Sequence, residues 1–334
     1  MNERWTEVLQ FLAGVVPPGP ATVVVDGTDA QTTAVADRLT DALRAAGRPC
    51  HRVPGSTSGG ALDAASSSGG AVAVADGPEW RARPPRGGWR VVVWLRTSRH
   101  RHAADGSRGE SADVVVDLQD PEWPVVRHVD TRLADVHRWY VTESRAFFGA
   151  KAATWDAKFG ADLPAYAAAV ERAGLPEGGT VADVGCGTGR ALPALRAAVG
   201  PAGAVLGTDL TPQMLAVARE PARAAGAALV LGDARRLPLA AATVDAVFAA
   251  GLVTHLPDPD AGLRELARVT RPAGRLVLFH PSGRAALAAR QGRVLRPDEP
   301  LAEGPLAGAT GRAGWELIRY EDAPGHFFAL ATRR

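Results

Sequence analysis

The apolar run Thr180 to Val184 ends in glycines at 185, 187 and 189, and a stretch with helical character, Arg190 to Val199, follows at once. The spacing predicts a strand, a tight turn and a helix start. Such a turn lets a ligand approach the backbone where a side chain would block it. Unpaired N–H groups at the start of the helix favour an anionic or polar ligand group. Asp209 lies 20 residues past Gly189, at the end of the next strand-like run, Ala204 to Asp209. An acidic group there accepts hydrogen bonds from both hydroxyls of a ribose. These residues point to a nucleoside-containing ligand held at the carboxyl edge of a parallel sheet.

The glycines run G-x-G-x-G, so the third comes one residue earlier than in the dinucleotide fingerprint G-x-G-x-x-G. The later features occur in a specific order. Leu231-Gly-Asp233-Ala234 ends a third strand-like run and offers Asp233 as an acceptor for an adenine amino group. Val244 to Ala250 reads as a fourth strand, followed by His255-Leu-Pro-Asp258 and a helix from about Asp260 to Thr270 with Leu263, Leu266, Ala267 and Val269 on its apolar side. Arg271-Pro-Ala-Gly274 breaks that helix, and Arg275 to His280 reads as a fifth strand. Trp315–Tyr320 and Phe327–Thr332, joined through Pro324-Gly325, predict a closing antiparallel hairpin.

Over roughly residues 150–334 the chain resembles the class I S-adenosylmethionine-dependent methyltransferases, in their small-molecule branch, more than a nicotinamide dehydrogenase. The resemblance implies an α/β fold: a Rossmann-like sheet of parallel strands closed by an antiparallel hairpin. It implies S-adenosyl-L-methionine as cofactor, held by Asp183, Gly185, Cys186, Gly187, Gly189, Asp209, Leu210, Met214, Gly232, Asp233, Ala234 and Ala250. It also implies N-terminal helices that close over the cofactor. Tyr140, Trp155 and Phe159 are the candidates for an aromatic face against the sulfonium cation, with ordinary helix core as the competing reading for each.

The 334 residues suggest two domains. The formal net charge of +2 gives no argument for nucleic acid or membrane. Two cysteines, Cys50 and Cys186, are too few for a disulfide framework or a metal cluster. The charged start of the chain and the short run Phe11–Val16 do not make a leader peptide, and no run approaches the ~18 apolar residues of a membrane span. The expectation is a cytoplasmic enzyme. Its basic residues are arginines apart from Lys151 and Lys158, a composition bias rather than a functional signal.

Residues 1–130 predict a smaller α/β domain. Thr22–Gly27 reads as a strand ending in a glycine turn, and a helix follows from about Ala30 to Ala46. This text resembles the start of P-loop nucleoside kinases of the uridine kinase type, and Trp89–Thr97 and Ala112–Leu118 resemble later strands of that family. A phosphate loop needs G-x-x-x-x-G-K-[ST]. Here the loop is shorter, its second glycine is absent, and no lysine precedes Lys151. Thr32 and Thr33 remain for a metal, but nothing remains for the γ-phosphate. The domain reads as a degenerate kinase fold with a structural, dimerising or pocket-covering role. Gly55–Gly70 reads as a loose loop. The segment Arg81–Arg101, with Trp80, Trp89 and Trp94, offers a second reading as a grip on single-stranded nucleic acid, against a solvated face beside a strand.

Residues 131–160 predict a helical connector and lid split at Gly149, and 161–334 the methyltransferase domain. For an oxygen acceptor a base must take the proton, and His255 and His280 both follow parallel strands at the ligand-binding edge. The context of His255 also fits a structural or cofactor-side role. The fourth strand lacks an Asn/Asp-Pro-Pro-aromatic ending, no cysteine is placed as a nucleophile, and no paired carboxylates suggest Mg²⁺. The expected reaction is a metal-independent O-, N- or C-methylation of a small molecule. A nucleic-acid methyltransferase and a non-catalytic scaffold are the alternatives.

Overall fold

The computed structural model describes residues 2–27, 31–53, 70–97, 111–290 and 294–334. The chain divides into two units, one of residues up to Glu143 and one of Ser144–Arg290 with Leu295–Arg334.

The first unit is built on a six-stranded sheet of order β2-β3-β1-β4-β5-β6, with β1 Ala21–Gly27, β2 Cys50–Val53, β3 Val72–Asp76, β4 Val91–Arg96, β5 Val114–Asp117 and β6 Val125–Val129. All pairs are parallel except β5 with β6. Val23, Val24 and Val25 are completely buried, as a strand covered on both faces of a parallel sheet must be. The helix Gln31–Ala45 presents Val35, Leu39 and Leu43 to the core. A helix over Glu3–Val15 has no counterpart in the sequence reading. Its Asn2 cap accepts the Trp5 N–H at 2.9 Å, and Trp5, Val8, Leu9 and Leu12 are buried. Within this unit Arg4 pairs with the buried Glu143, which also accepts the Val126 N–H at 2.6 Å. The expected Gly55–Gly70 loop lies outside the described residues, apart from Gly70.

The second unit carries a seven-stranded sheet of order β12-β13-β11-β10-β7-β8-β9. Its strands are β7 Thr180–Val184, β8 Ala204–Asp209, β9 Ala228–Leu231, β10 Val244–Ala250, β11 Thr270–His280, β12 Trp315–Ala323 and β13 His326–Arg333. β7 to β11 pair in parallel, and β13 runs antiparallel to both β11 and β12. The mixed sheet and the closing hairpin are therefore as the sequence led one to expect. Trp315, Phe248, Phe327 and Phe328 are among its largest fully buried side chains.

Local differences have physical causes. The helix after the glycine turn starts at Leu192, not Arg190, because the turn continues through Ala191. β11 begins at Thr270, across the expected break. A register shift between Thr270 and Arg275, with Ala273 at φ +61°, absorbs the Pro and Gly there. Asp258 caps the helix Pro259–Val269 by accepting the Ala261 N–H at 3.0 Å. Among the described residues no helix is long and apolar enough to cross a membrane.

Candidate active site

In the second unit the carboxyl ends of β9, β8, β7, β10 and β11 lie along one edge, and the strand order reverses at β7 and β10. Ligands of open α/β sheets bind at such a switch point. The glycine turn sits there. Gly185 and Cys186 N–H both donate to the Thr208 carbonyl, at 2.8 and 2.9 Å, which fixes the turn to the end of β8. Gly187 N–H donates to Asp209 Oδ2 at 2.9 Å, and Thr211 N–H to Asp209 Oδ1 at 2.8 Å. The turn and the acid predicted to hold a ribose are thus one hydrogen-bonded assembly.

Gly187 has φ +54° and open space where a Cβ would stand. Gly189 has φ +84°, and a Cβ there would meet Leu192, Pro221 and Ala218 at 3.0 to 3.3 Å. The first faces a cradle and the second faces packing.

Asp183 is 2% exposed. Burial, reinforced by the neighbouring Asp209 carboxylate, pushes it up to about 8. Burial also raises Asp209. Among the described residues no Arg or Lys pairs with either acid. A buried acid and a half-buried one beside an open cradle fit a ligand that brings positive charge. Cys186 is buried, and desolvation pushes its thiol well up, so it is packing rather than a nucleophile.

The structure places the remaining candidates as follows. Gly232 N–H donates to the Asp209 carbonyl at 2.9 Å. Met214 is buried in the helix Pro212–Ala225, while Ala234 and Ala250 are half-buried near the strand ends. The Leu210 carbonyl accepts from Arg145 Nε at 2.9 Å. Asp233 is gripped by Arg235, through its backbone N–H at 2.9 Å and through Nε and Nη2 at 3.1 and 2.6 Å. Arg145, on the helix Tyr140–Gly149, and Arg235, just past β9, were missed by the sequence reading, since a single arginine carries no motif in so arginine-rich a chain. Tyr140 lies in the first unit, buried edge-to-face against Trp139 at 6.2 Å.

Trp155 and Phe159 are on the short helix Trp155–Phe159, with ring centroids 4.9 Å apart. Phe148 joins them, 6.1 Å from Trp155 and 5.1 Å from the His255 ring. The aromatic group therefore reaches one of the two histidines. His280 ends β11. Its Nδ1 lies 2.9 Å from the Ser282 carbonyl and 3.0 Å from the Ser282 N–H. The two contacts belong to different tautomers: accepting the Ser282 N–H leaves the proton on Nε2, whereas donating to the Ser282 carbonyl leaves Nε2 as a proton acceptor. Burial holds His280 below the usual histidine range. His280 lines a pocket of about 20 Å³ together with Gly251, Leu252, Thr254, Arg284 and Leu301, and His255 is not among its lining residues. A Cβ on Gly251 would lie 3.8 Å from His280 Cδ2. Arg284, at the same pocket, faces Glu299 and Asp322 at 3.4 and 3.5 Å, so its charge is balanced there.

Residues 182–278 match the family described as "Methyltransferase domain". The second unit carries a methyltransferase domain. Methyltransferase GfsG of Streptomyces halstedii is 38% identical over 112 residues, 32% of this chain and 40% of that protein. Demethylmenaquinone methyltransferase of Shouchella clausii is 40% identical over 108 residues, 31% of this chain and 46% of that protein. The chain thus spans less than half the length of these relatives. A solved SAM-dependent methyltransferase from Aquifex aeolicus aligns with a TM-score of 0.42 at 28% identity, covering 49% of this chain and 87% of that one.

Proposed function

We propose that the protein is an S-adenosylmethionine-dependent methyltransferase that methylates a small molecule at oxygen, nitrogen or carbon without a metal. The observation that carries this reading is the glycine turn hydrogen-bonded to Asp209 within the matched methyltransferase domain. The positive charge of the cofactor is answered by the half-buried Asp209, beside the buried Asp183. Bound there, it supplies an electrophilic methyl group with its leaving group already attached. The glycine turn and Asp209 orient the nucleoside. Phe148, Trp155 and Phe159 exclude water, and His280 Nε2 takes the proton of a hydroxyl acceptor. The name of the demethylmenaquinone relative gives a small-molecule acceptor and supports the same class here.

For the first unit we propose a degenerate P-loop kinase fold without phosphoryl transfer, with a structural, dimerising or pocket-covering role. β1 lies between β3 and β4, so Gly27 stands at the sheet's switch point, and the helix Gln31–Ala45 follows it. These features support the fold, and the missing lysine speaks against the chemistry. Trp80 and Trp94 are buried in this unit's core, and Arg81 faces the buried Asp26 at 3.6 Å. That burial favours the small-molecule reading over a nucleic-acid grip. Residues 98–101 of the basic segment lie outside the described residues.

Radiolabelled methyl donor offered to a small-metabolite extract and to total RNA tests the proposal. Label is expected in a metabolite. Label in RNA that falls steeply with salt would favour the nucleic-acid reading, and label in neither would favour a scaffold.

A further inference from the structure

The short helix Trp155–Phe159 is tied to the glycine turn by groups to which the reaction assigns no role. Asp156 Oδ1 accepts a hydrogen bond from Thr188 Oγ1 at 2.7 Å. The same oxygen lies 3.8 Å from Arg190 Nε. Arg190 Nη2 donates to the Phe159 carbonyl and lies 4.0 Å from Asp162 Oδ2. The guanidinium also stands over the Tyr166 ring, 4.8 Å from its centroid. Apart from the ring of Tyr166, which belongs to the next helix, every contact joins the start or the end of this helix, or the turn that follows it, to residues 188 and 190.

The burial is uneven. Thr188 is 1% exposed and the Arg190 side chain 7%, whereas the Asp156 side chain is 50% exposed. A pair of exposed charges contributes little, because water and ions compete for both partners. Here the two turn-side partners are out of water and fixed in the backbone that forms the cradle. Only the lid-side carboxylate is free to leave. Thr188 also lies between Gly187 and Gly189, so the turn that holds the nucleoside is the turn that holds the lid.

We propose that Asp156 is a latch: a positioning residue that holds the Trp155–Phe159 helix down on the glycine turn and thereby sets how fast the cofactor leaves. The proposal rests on the methyltransferase reading for its ligand, but the closure itself is a property of the ligand-free chain.

The test uses the full chain and two measurements. The first is hydrogen exchange of the amides of residues 155–159 without ligand. The second is the dissociation rate of S-adenosylhomocysteine. Asp156→Ala and Thr188→Val should each raise both by roughly 10-fold, the loss of one charge-assisted hydrogen bond. Thr188→Ser keeps the hydroxyl and should stay within about 2-fold of the parent. The double variant should do little more than either single one, since both remove the same bond. Asp156→Asn keeps an acceptor for Thr188 and loses the charge facing Arg190, so it should fall between. Unchanged exchange and unchanged release in Asp156→Ala would overturn the latch. If the parent protein fails to bind S-adenosylhomocysteine, the methyltransferase reading falls, and lid exchange still decides whether the latch exists.

Discussion

Asp183 keeps its proton to about pH 8 because it is buried beside a second acid. In the unfolded chain the same carboxyl releases its proton near 4. Its contribution to stability is therefore full below that value and is lost as the pH rises through 8. Asp183→Asn removes the charge without changing the shape. We expect it to stabilise the ligand-free protein by about 2 kcal/mol at pH 8 and by little at pH 4, while weakening cofactor binding. Urea denaturation at the two pH values checks this, and equal effects at both would show that Asp183 is not strained by its surroundings. His280 gives a second pH test of opposite kind. In the role proposed for it the neutral form is the base, and burial lowers its pKa, so kcat/KM is expected to rise through a value below the ordinary ~6.5 of histidine. His280→Gln should cost ~10²–10⁴ in kcat with cofactor affinity nearly unchanged. If His280→Gln turns over normally, proximity alone drives an acceptor that is already nucleophilic. The sequence exposed Asp183, Asp209 and the glycines because their spacing is fixed by backbone geometry. It did not separate His280 from His255, since only the fold shows which one lines the pocket beside Gly251.

Gly187 and Gly189 differ by the element each faces, although the motif treats them alike. Both need a left-handed backbone, which costs an alanine about 1–2 kcal/mol. Gly187→Ala points its methyl into the open cradle and should abolish cofactor binding at that modest cost in stability. Gly189→Ala drives its methyl into Leu192 and the helix Pro212–Ala225, so it should lose more stability, in the further range of about 1–3 kcal/mol for overpacking. Calorimetry paired with thermal melts distinguishes them, and loss of binding at equal stability cost in both would contradict the assignment. The strands of the second unit were legible because continuous apolar runs end at glycine or proline. The helices Leu163–Ala173, Pro212–Ala225, Arg284–Arg290 and Glu303–Arg312 went unread: the first three are rich in alanine, which favours helix but blurs the apolar stripe that periodicity relies on, and the last carries three glycines and a proline, which read as loop. The lid contacts were unreadable for another reason. Asp156 and Thr188 are 32 residues apart, and no local pattern announces that they meet.

At the scale of the whole chain the two units carry related folds and different expectations. Each has a mostly parallel sheet whose strand order reverses beside a strand that ends in or just before a glycine, and sheet architecture alone would allow a nucleotide in both. The chemistry of the turns separates them. In the second unit Gly187 faces open space while its N–H holds Asp209, and the buried Asp183 carboxyl is raised partly by the Asp209 charge. In the first unit the residues at the sheet edge are already committed to one another. Asp26 Oδ1 accepts the Gly27 N–H at 2.8 Å, Thr33 donates to Asp76 at 2.6 Å, Arg52 pairs with Asp76, and Arg96 pairs with Asp117 at 2.5 Å. A phosphoryl site needs free cationic donors and a metal-bound phosphate. Among the described residues Arg52 and Arg96 at this edge are held by neighbouring carboxylates, and no lysine precedes Lys151. We therefore expect the full protein to release no phosphate from ATP while it binds S-adenosylhomocysteine in the same buffer. Phosphate release by a coupled assay, with calorimetry run in parallel, measures both. Robust ATP turnover that survives Asp183→Asn and disappears in Asp76→Asn would place a second active centre in the first unit and overturn its reading as a non-catalytic domain.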